Sequence, residues 1–206
     1  WKVLGAVFGA MGKKSEAVDA NQTAVALSPQ DAEAHSNLGI TLQEVGRLDD
    51  ALASYSQAIS LKPDFAEAHF NLGNTLQELG RLEEAVASYN QALSFRPDFA
   101  DAHSNLGNTL KELGRLEEAE ASYTQAIAFR PDYAEAHSNL GNTLKELGQL
   151  EEAVASLRQA IALKPDYAAA HNNIGIAAYN QGKLDEAIVL YNKALAIKPD
   201  YADAFY

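Results

Sequence analysis

Cysteine is absent, so disulfides, thiolate metal sites and cysteine nucleophiles are excluded. Positive charge is scarce: 16 Lys and Arg stand against 28 Asp and Glu, for a formal net charge of −12. Nucleic-acid binding needs a basic stripe to meet phosphates and is therefore disfavoured. Anionic membrane surfaces are disfavoured on the same ground. No apolar run approaches the roughly 20 residues that span a bilayer. The chain opens on Trp1, its single tryptophan, and not on Met. It is therefore read as a fragment or processed form, with room for a signal peptide upstream. A cytoplasmic location is the expectation, although absence of cysteine does not itself identify a compartment. What is present is a core-forming composition, 47% apolar against 21% charged, which sets the chain apart from disordered sequences.

The chain repeats itself. Residues 65–98 read FAEAHFNLGNTLQELGRLEEAVASYNQALSFRPD, and residues 99–132 read FADAHSNLGNTLKELGRLEEAEASYTQAIAFRPD. They align without a gap at a spacing of 34, and segments 31–64, 133–166 and 167–200 share the register. Residues 1–30 are a truncated first repeat, and 201–206 open a further one.

Each unit encodes two helices. Asp64 follows Pro63 and precedes an apolar-periodic run, which makes it the expected N-cap, with Glu67 completing a capping-box-like pair. Asp98 with Asp101 and Asp132 with Glu135 repeat the device, whereas Asp166 faces Ala169. Gly80, with Gly46, Gly114, Gly148 and Gly182 in the same slot, is expected to end the first helix in a left-handed conformation. The second helix starts acidic (Glu83, Glu84) and ends basic (Arg96), which suits its dipole, and Pro97 stops it. Gly39, Gly73, Gly107, Gly141 and Gly175 recur inside first helices, where glycine costs about 1 kcal/mol against alanine. Such repetition calls for close helix approach. Ala51, Ala85, Ala119, Ala153 and Ala187 mark the facing contact, and Leu38, Leu72, Leu106, Leu140 and Ile174 fill the core beside them. Tyr55, Tyr89, Tyr123 and Tyr191 stand opposite.

Trp1, Leu4, Gly5, Phe8, Ala17, Ala24 and Pro29 spell a pattern that resembles the tetratricopeptide repeat signature. Later repeats keep it with histidine in the tryptophan slot, and the resemblance covers the whole chain. It implies an all-α, right-handed superhelical solenoid of stacked antiparallel helix pairs, about twelve helices in all, with first helices lining a concave groove. A helix pair cannot bury its apolar face alone, so neighbours stack. With no polar capping helix at either end, an exposed apolar face near Phe205 and Tyr206 and end-to-end self-association are expected.

All five histidines, His35, His69, His103, His137 and His171, occupy one slot. Standing a full repeat apart, they are too distant to share a metal ion, and a packed aromatic at the helix-pair interface is the expected role. Asparagines form two ladders. Asn37, Asn71, Asn105, Asn139 and Asn173 make the first, and Asn74, Asn108 and Asn142 lie three residues later on the same helix face. Asparagine is a mediocre helix former, so its repetition needs a reason. An amide both donates and accepts, so a ladder of amides can grip an extended peptide whatever its side chains. The alternative is hydrogen bonding between neighbouring first helices.

The strings AHSNLGNTLKELGRLEEA and PDFADAHSNLGN are similar to the repeat arm of O-linked N-acetylglucosamine transferases and their bacterial relatives. That resemblance implies a substrate backbone held along Asn37, Asn71, Asn105, Asn139 and Asn173, with the catalytic domain outside these residues. The two-carboxylate clamp of chaperone co-factors is disfavoured. It needs basic residues beside the ladder, where this chain has Ser36, Phe70, Ser104, Ser138 and Asn172, with Glu33, Glu67, Asp101, Glu135 and Ala169 four residues before the ladder.

Glu44, Glu78, Glu112 and Glu146 are too far apart to act as paired catalytic acids and read as a solvated face. Phe70 breaks a small-polar slot and is either an apolar anchor for a ligand or an accidental exposed aromatic. No phosphate loop, nucleophile elbow or metal motif appears, so no catalytic residue, metal or cofactor is assigned. The chain is expected to bind a protein or peptide ligand. The alternatives are the substrate-recognition arm of a glycosyltransferase and a self-assembling scaffold.

Overall fold

First helices begin at Ala32, Ala66, Ala100, Ala134 and Ala168, one every 34 residues, and glycine decides where each ends. In a computed structural model that describes residues 1–199, Gly12, Gly46, Gly80, Gly114, Gly148 and Gly182 all adopt φ between 71° and 80°. At Gly80 the glycine N–H donates to the Gln77 carbonyl and the Arg81 N–H to the Leu76 carbonyl, each at 2.9 Å. This pair of bonds closes the helix end and turns the chain back within three residues. The same bonds recur at the other five glycines. Phe205 and Tyr206, where the sequence predicts an apolar face, lie outside the described residues.

The turns produce twelve helices and no strand among the described residues. They are α1 (Lys2–Ala10), α2 (Lys14–Leu27), α3 (Ala32–Glu44), α4 (Leu48–Leu61), α5 (Ala66–Glu78), α6 (Leu82–Phe95) and α7 (Ala100–Glu112). There follow α8 (Leu116–Phe129), α9 (Ala134–Glu146), α10 (Leu150–Leu163), α11 (Ala168–Asn180) and α12 (Leu184–Ile197). The described residues form two compact units, 1–109 and 110–199. Within the first, α1–α2, α3–α4 and α5–α6 are pairs, stacked through α2 on α3 and α4 on α5. Within the second, α9–α10 and α11–α12 are pairs, stacked through α8 on α9 and α10 on α11.

The starts of the first helices depart from expectation. In α3 an aspartate does cap: Asp31 Oδ1 accepts from the N–H groups of Glu33 at 3.0 Å and Ala34 at 3.2 Å. In α5, α9 and α11 the capping position belongs to Phe65, Tyr133 and Tyr167, with no side-chain cap bond. Asp64 and Asp132 sit one residue too early, and their backbone carbonyls accept from Ala66 and Ala134 instead. The aromatic at the cap is covered by the basic residue three places before it. Arg96 lies 3.3 Å from the Phe99 ring centroid, Arg130 4.5 Å from Tyr133, Lys62 4.8 Å from Phe65 and Lys164 5.3 Å from Tyr167. Arg96 stands just past the last turn of α6 and also reaches Glu67 at 2.6 Å, so it fastens a loop instead of answering a helix dipole.

The recurring small residues make room for rings. A β-carbon on Gly39 would lie 2.6 Å from Tyr55, one on Gly73 2.7 Å from Tyr89, and one on Gly175 2.8 Å from Tyr191. Tyr55, Tyr89 and Tyr123 are fully buried, as are Ala51, Ala85 and Ala119. The core runs on from pair to pair. Val18 of α2, Leu38 and Leu42 of α3, and Ala51 and Tyr55 of α4 form one cluster, against which Leu72 of α5 packs. Leu157 and Ala160 of α10 meet Ala170 and Ile174 of α11 in another, with Leu190 of α12 packed against it.

Glycine in the two settings should fail for different reasons. Gly73→Ala drives a methyl group into the Tyr89 ring, an overpacking cost of about 1–3 kcal/mol, offset by about 1 kcal/mol of helix propensity. Gly80→Ala strains a left-handed backbone and costs about 1 kcal/mol. Urea unfolding followed by circular dichroism should show lower midpoints for both, and a G73A protein more stable than wild type would refute the close-packing account.

Candidate functional site

The histidine slot resolves into a single device. Each Nε2 lies 2.9–3.0 Å from the carbonyl oxygen of the proline six residues earlier: His35 to Pro29, His69 to Pro63, His103 to Pro97, His137 to Pro131 and His171 to Pro165. A carbonyl only accepts, so Nε2 carries the proton and donates. His69 also stacks on Phe95, with centroids 5.6 Å apart. These rings tie each first helix to the preceding loop. Among the described residues no group of three or more His, Cys, Asp or Glu side chains could hold a metal ion.

The asparagine ladders are hydrogen-bonded to each other. Asn105 Nδ2 donates to Asn74 Oδ1 at 2.8 Å, and the same oxygen accepts from the Tyr89 hydroxyl at 2.8 Å. In the second unit Asn173 Nδ2 donates to Asn142 Oδ1 at 2.6 Å. Asn74 and Asn142 of the second ladder thus each accept from the first-ladder residue one repeat on. These bonds use the Asn74 oxygen but not its NH2 group. They use one N–H of Asn105 but not its oxygen. Asn108 on α7 and Asn139 on α9 are half-buried, and each has a polar partner of its own. The threonine four residues after a first-ladder position turns back onto its carbonyl, as Thr75 does on Asn71 at 2.9 Å.

The tyrosine hydroxyls reach the same face. Tyr55 donates to Gln43 Oε1 at 3.3 Å, and Tyr89 to Gln77 Oε1 at 3.1 Å. Burial, reinforced by Glu44 and Glu78, pushes the Tyr55 hydroxyl well above its ordinary pKa, so it remains a neutral donor. Burial does the same to Tyr123, with Glu112 and Glu146 adding to it. The glutamates read as a solvated face also join consecutive repeats. Gln43 donates to Glu78, and Lys111 pairs with Glu146 at 2.9 Å.

Two clefts collect several of the candidate residues. In the first unit a cleft of about 470 Å³ has Asn37, Phe70 and Asn71 among its walls, together with Ile40, Phe65 and Phe99. Phe70 is half-buried, its ring 4.7 Å from that of Phe99 and 6.0 Å from that of Tyr89, so it is a seated part of the wall. Glu33 and Glu67 rim this cleft, bridged to Lys2 at 3.2 Å and to Arg96 at 2.6 Å. In the second unit a cleft of about 730 Å³ includes Asn142 and Asn173. It also includes Lys145 and Asn172, which sequence reasoning does not single out as site residues. The available signal is a slot change: Asn172 stands where three other repeats carry Ser36, Ser104 and Ser138.

A family model described as TPR repeat matches residues 44–80, 76–114, 107–148 and 141–182. Two models described as tetratricopeptide repeat match residues 20–53 and 168–201. The chain belongs to the tetratricopeptide repeat family. No match is found among curated proteins. Solved structures resemble this tetratricopeptide chain over most of its length. YrrB, described as a TPR protein with an unusual peptide-binding site, is 26% identical, with a TM-score of 0.79 over 91% of this chain and 97% of its own. MamA is also 26% identical, at 0.76 over 80% and 96%. PilW, a type IV pilus biogenesis factor, is 24% identical, at 0.85 over 99% and 94%, a likeness of fold alone.

The link between ladders should be measurable as a coupling. Asn105→Ala and Asn74→Ala are each expected to lower stability by about 1 kcal/mol, and the double variant by less than the sum. Urea midpoints of the four proteins give the cycle, and strict additivity would mean that the two amides do not communicate.

Proposed function

We propose that this protein-interaction module holds an extended segment of a partner polypeptide along its first helices. Asn37, Asn71, Asn105, Asn139 and Asn173 meet the partner's backbone, and Asn74, Asn108 and Asn142 support them. Phe70 anchors an apolar side chain. The observation that carries this reading is the cleft in which Asn37, Asn71 and Phe70 come together. Amides beside a seated aromatic offer what an extended peptide presents, namely N–H and C=O groups along the backbone and a side chain every second residue. The ladder bonds lend support, because an amide held at one end is preorganised and loses less entropy on binding. The peptide-binding site named for YrrB favours the same class of ligand. A net charge of −12 argues for a polypeptide over nucleic acid as the partner.

An unbiased peptide library offered to the wild-type chain and to the Asn37→Ala, Phe70→Ala, Asn71→Ala triple variant tests this. Wild type should enrich binders, and the variant should hold them about tenfold or more weakly, a loss of about 1.4 kcal/mol, with helicity unchanged. Equal binding by both, or none by wild type, would leave the asparagines a packing role only.

A further inference from the structure

The cleft of the second unit differs in charge from that of the first. In two preceding repeats the slot of Lys145 is tied to a carboxylate one repeat on, as Gln43 is to Glu78 and Lys111 to Glu146. The corresponding position for Lys145 holds Asn180, and the ammonium's contact is a 3.4 Å approach to Asn173 Oδ1, near the limit of a hydrogen bond. A second carboxylate is missing from the same wall, because Ala169 stands where other repeats carry Glu33, Glu67, Asp101 and Glu135. Among the described residues the one carboxylate that lines the cleft, Glu146, is held by Lys111. The cleft therefore has two lysines against one paired glutamate.

A second observation is independent of charge. Asn172 lines this cleft, is 2% exposed, and its Oδ1 has no hydrogen-bond partner among the described residues. Buried side-chain oxygens are nearly always paired, so an orphan beside an open cleft marks an acceptor awaiting a donor. Lysine supplies a donor with no acceptor, and Asn172 an acceptor without a donor. A peptide residue with an acidic side chain brings the complement of both, a carboxylate and a backbone N–H.

We infer that the cleft between α9 and α11 is a subsite for an aspartate or glutamate of the bound segment, with Lys145 Nζ on its carboxylate and Asn172 Oδ1 accepting a backbone N–H. The inference rests on the peptide reading above and adds a specificity to it. It separates this cleft from the first unit's, whose wall is aromatic and whose rim carries Glu33 and Glu67. A polyanion is the disfavoured occupant, because the single available ammonium is set in a chain of net charge −12.

The test uses the full chain and a random peptide library displayed on phage. Lys145→Gln installs the residue that Gln43 and Gln77 already carry in that slot, and Asn172→Ser the residue of Ser36, Ser104 and Ser138. Both changes are therefore compatible with the fold, and circular dichroism checks it. Wild type should enrich peptides with Asp or Glu at one position. K145Q should lower that enrichment about tenfold while still binding peptides, a loss equivalent to about 1.4 kcal/mol. N172S should bind the same acidic peptides several-fold more weakly. Peptide binding without an acidic preference, a preference that survives K145Q, or full affinity in N172S overturns the subsite and leaves the peptide groove intact. Absence of any peptide binding by wild type overturns both.

Discussion

A tyrosine ring laid against a helix backbone bare of side chains is the contact on which the other features of a repeat depend. Gly73 admits the Tyr89 ring, which lets α5 and α6 approach closely and buries the ring completely. The ring's position then fixes where its hydroxyl emerges, and that hydroxyl donates to Asn74 and Gln77. Asn74, oriented in this way, accepts Asn105. A steric constraint in the core thus becomes an ordered row of amides on the first helices. Core and candidate site are one construction, because the group that fills the interior is also the group that aims the surface.

The repeat built on α9 and α10 tests this logic. Leu157 replaces the tyrosine and still crowds Gly141, where a β-carbon would lie 2.6 Å from it, but it has no hydroxyl to offer. Asn142 accordingly lacks the tyrosine donor that Asn74 has and is approached by Asn173 at 2.6 Å. The same neighbourhood contains Lys145, whose contact is an amide and not a carboxylate, and the orphaned oxygen of Asn172. Departures from the repeat pattern gather around one cleft, whereas in the repeat of α5 and α6 the Tyr89 hydroxyl and Asn74 pair with each other.

Much of the fold is legible in the sequence, because its rules are local. Glycine at the helix end is required by a positive φ, and alanine and glycine at fixed intervals reflect close packing. Asp64 and Asp132 mislead as N-caps because a Pro-Asp-aromatic run permits two registers differing by one residue. The cation over the ring favours the later one. Arg96 reads as answering a helix dipole because its partners, Phe99 and Glu67, become neighbours only after the chain turns. The histidine bond to proline is hidden although its spacing of six residues is constant, since a carbonyl acceptor leaves no mark on residue type. The asparagines stand out as unusual in the sequence. Their mutual bonds do not, because the partner of each lies a repeat away.

Bonds between neighbouring helix pairs join one slot of a repeat to a fixed slot of the next, as Gln43 does with Glu78 and Asn105 with Asn74. A copy inserted between two others would therefore find both of its partners already in place, and a copy removed would leave its neighbours able to pair with each other. The number of repeats is in this sense a free parameter of the sequence. A lineage can lengthen or shorten such a binding surface by duplication or loss, with no new interaction to invent and with single substitutions left to write the specificity of each added step.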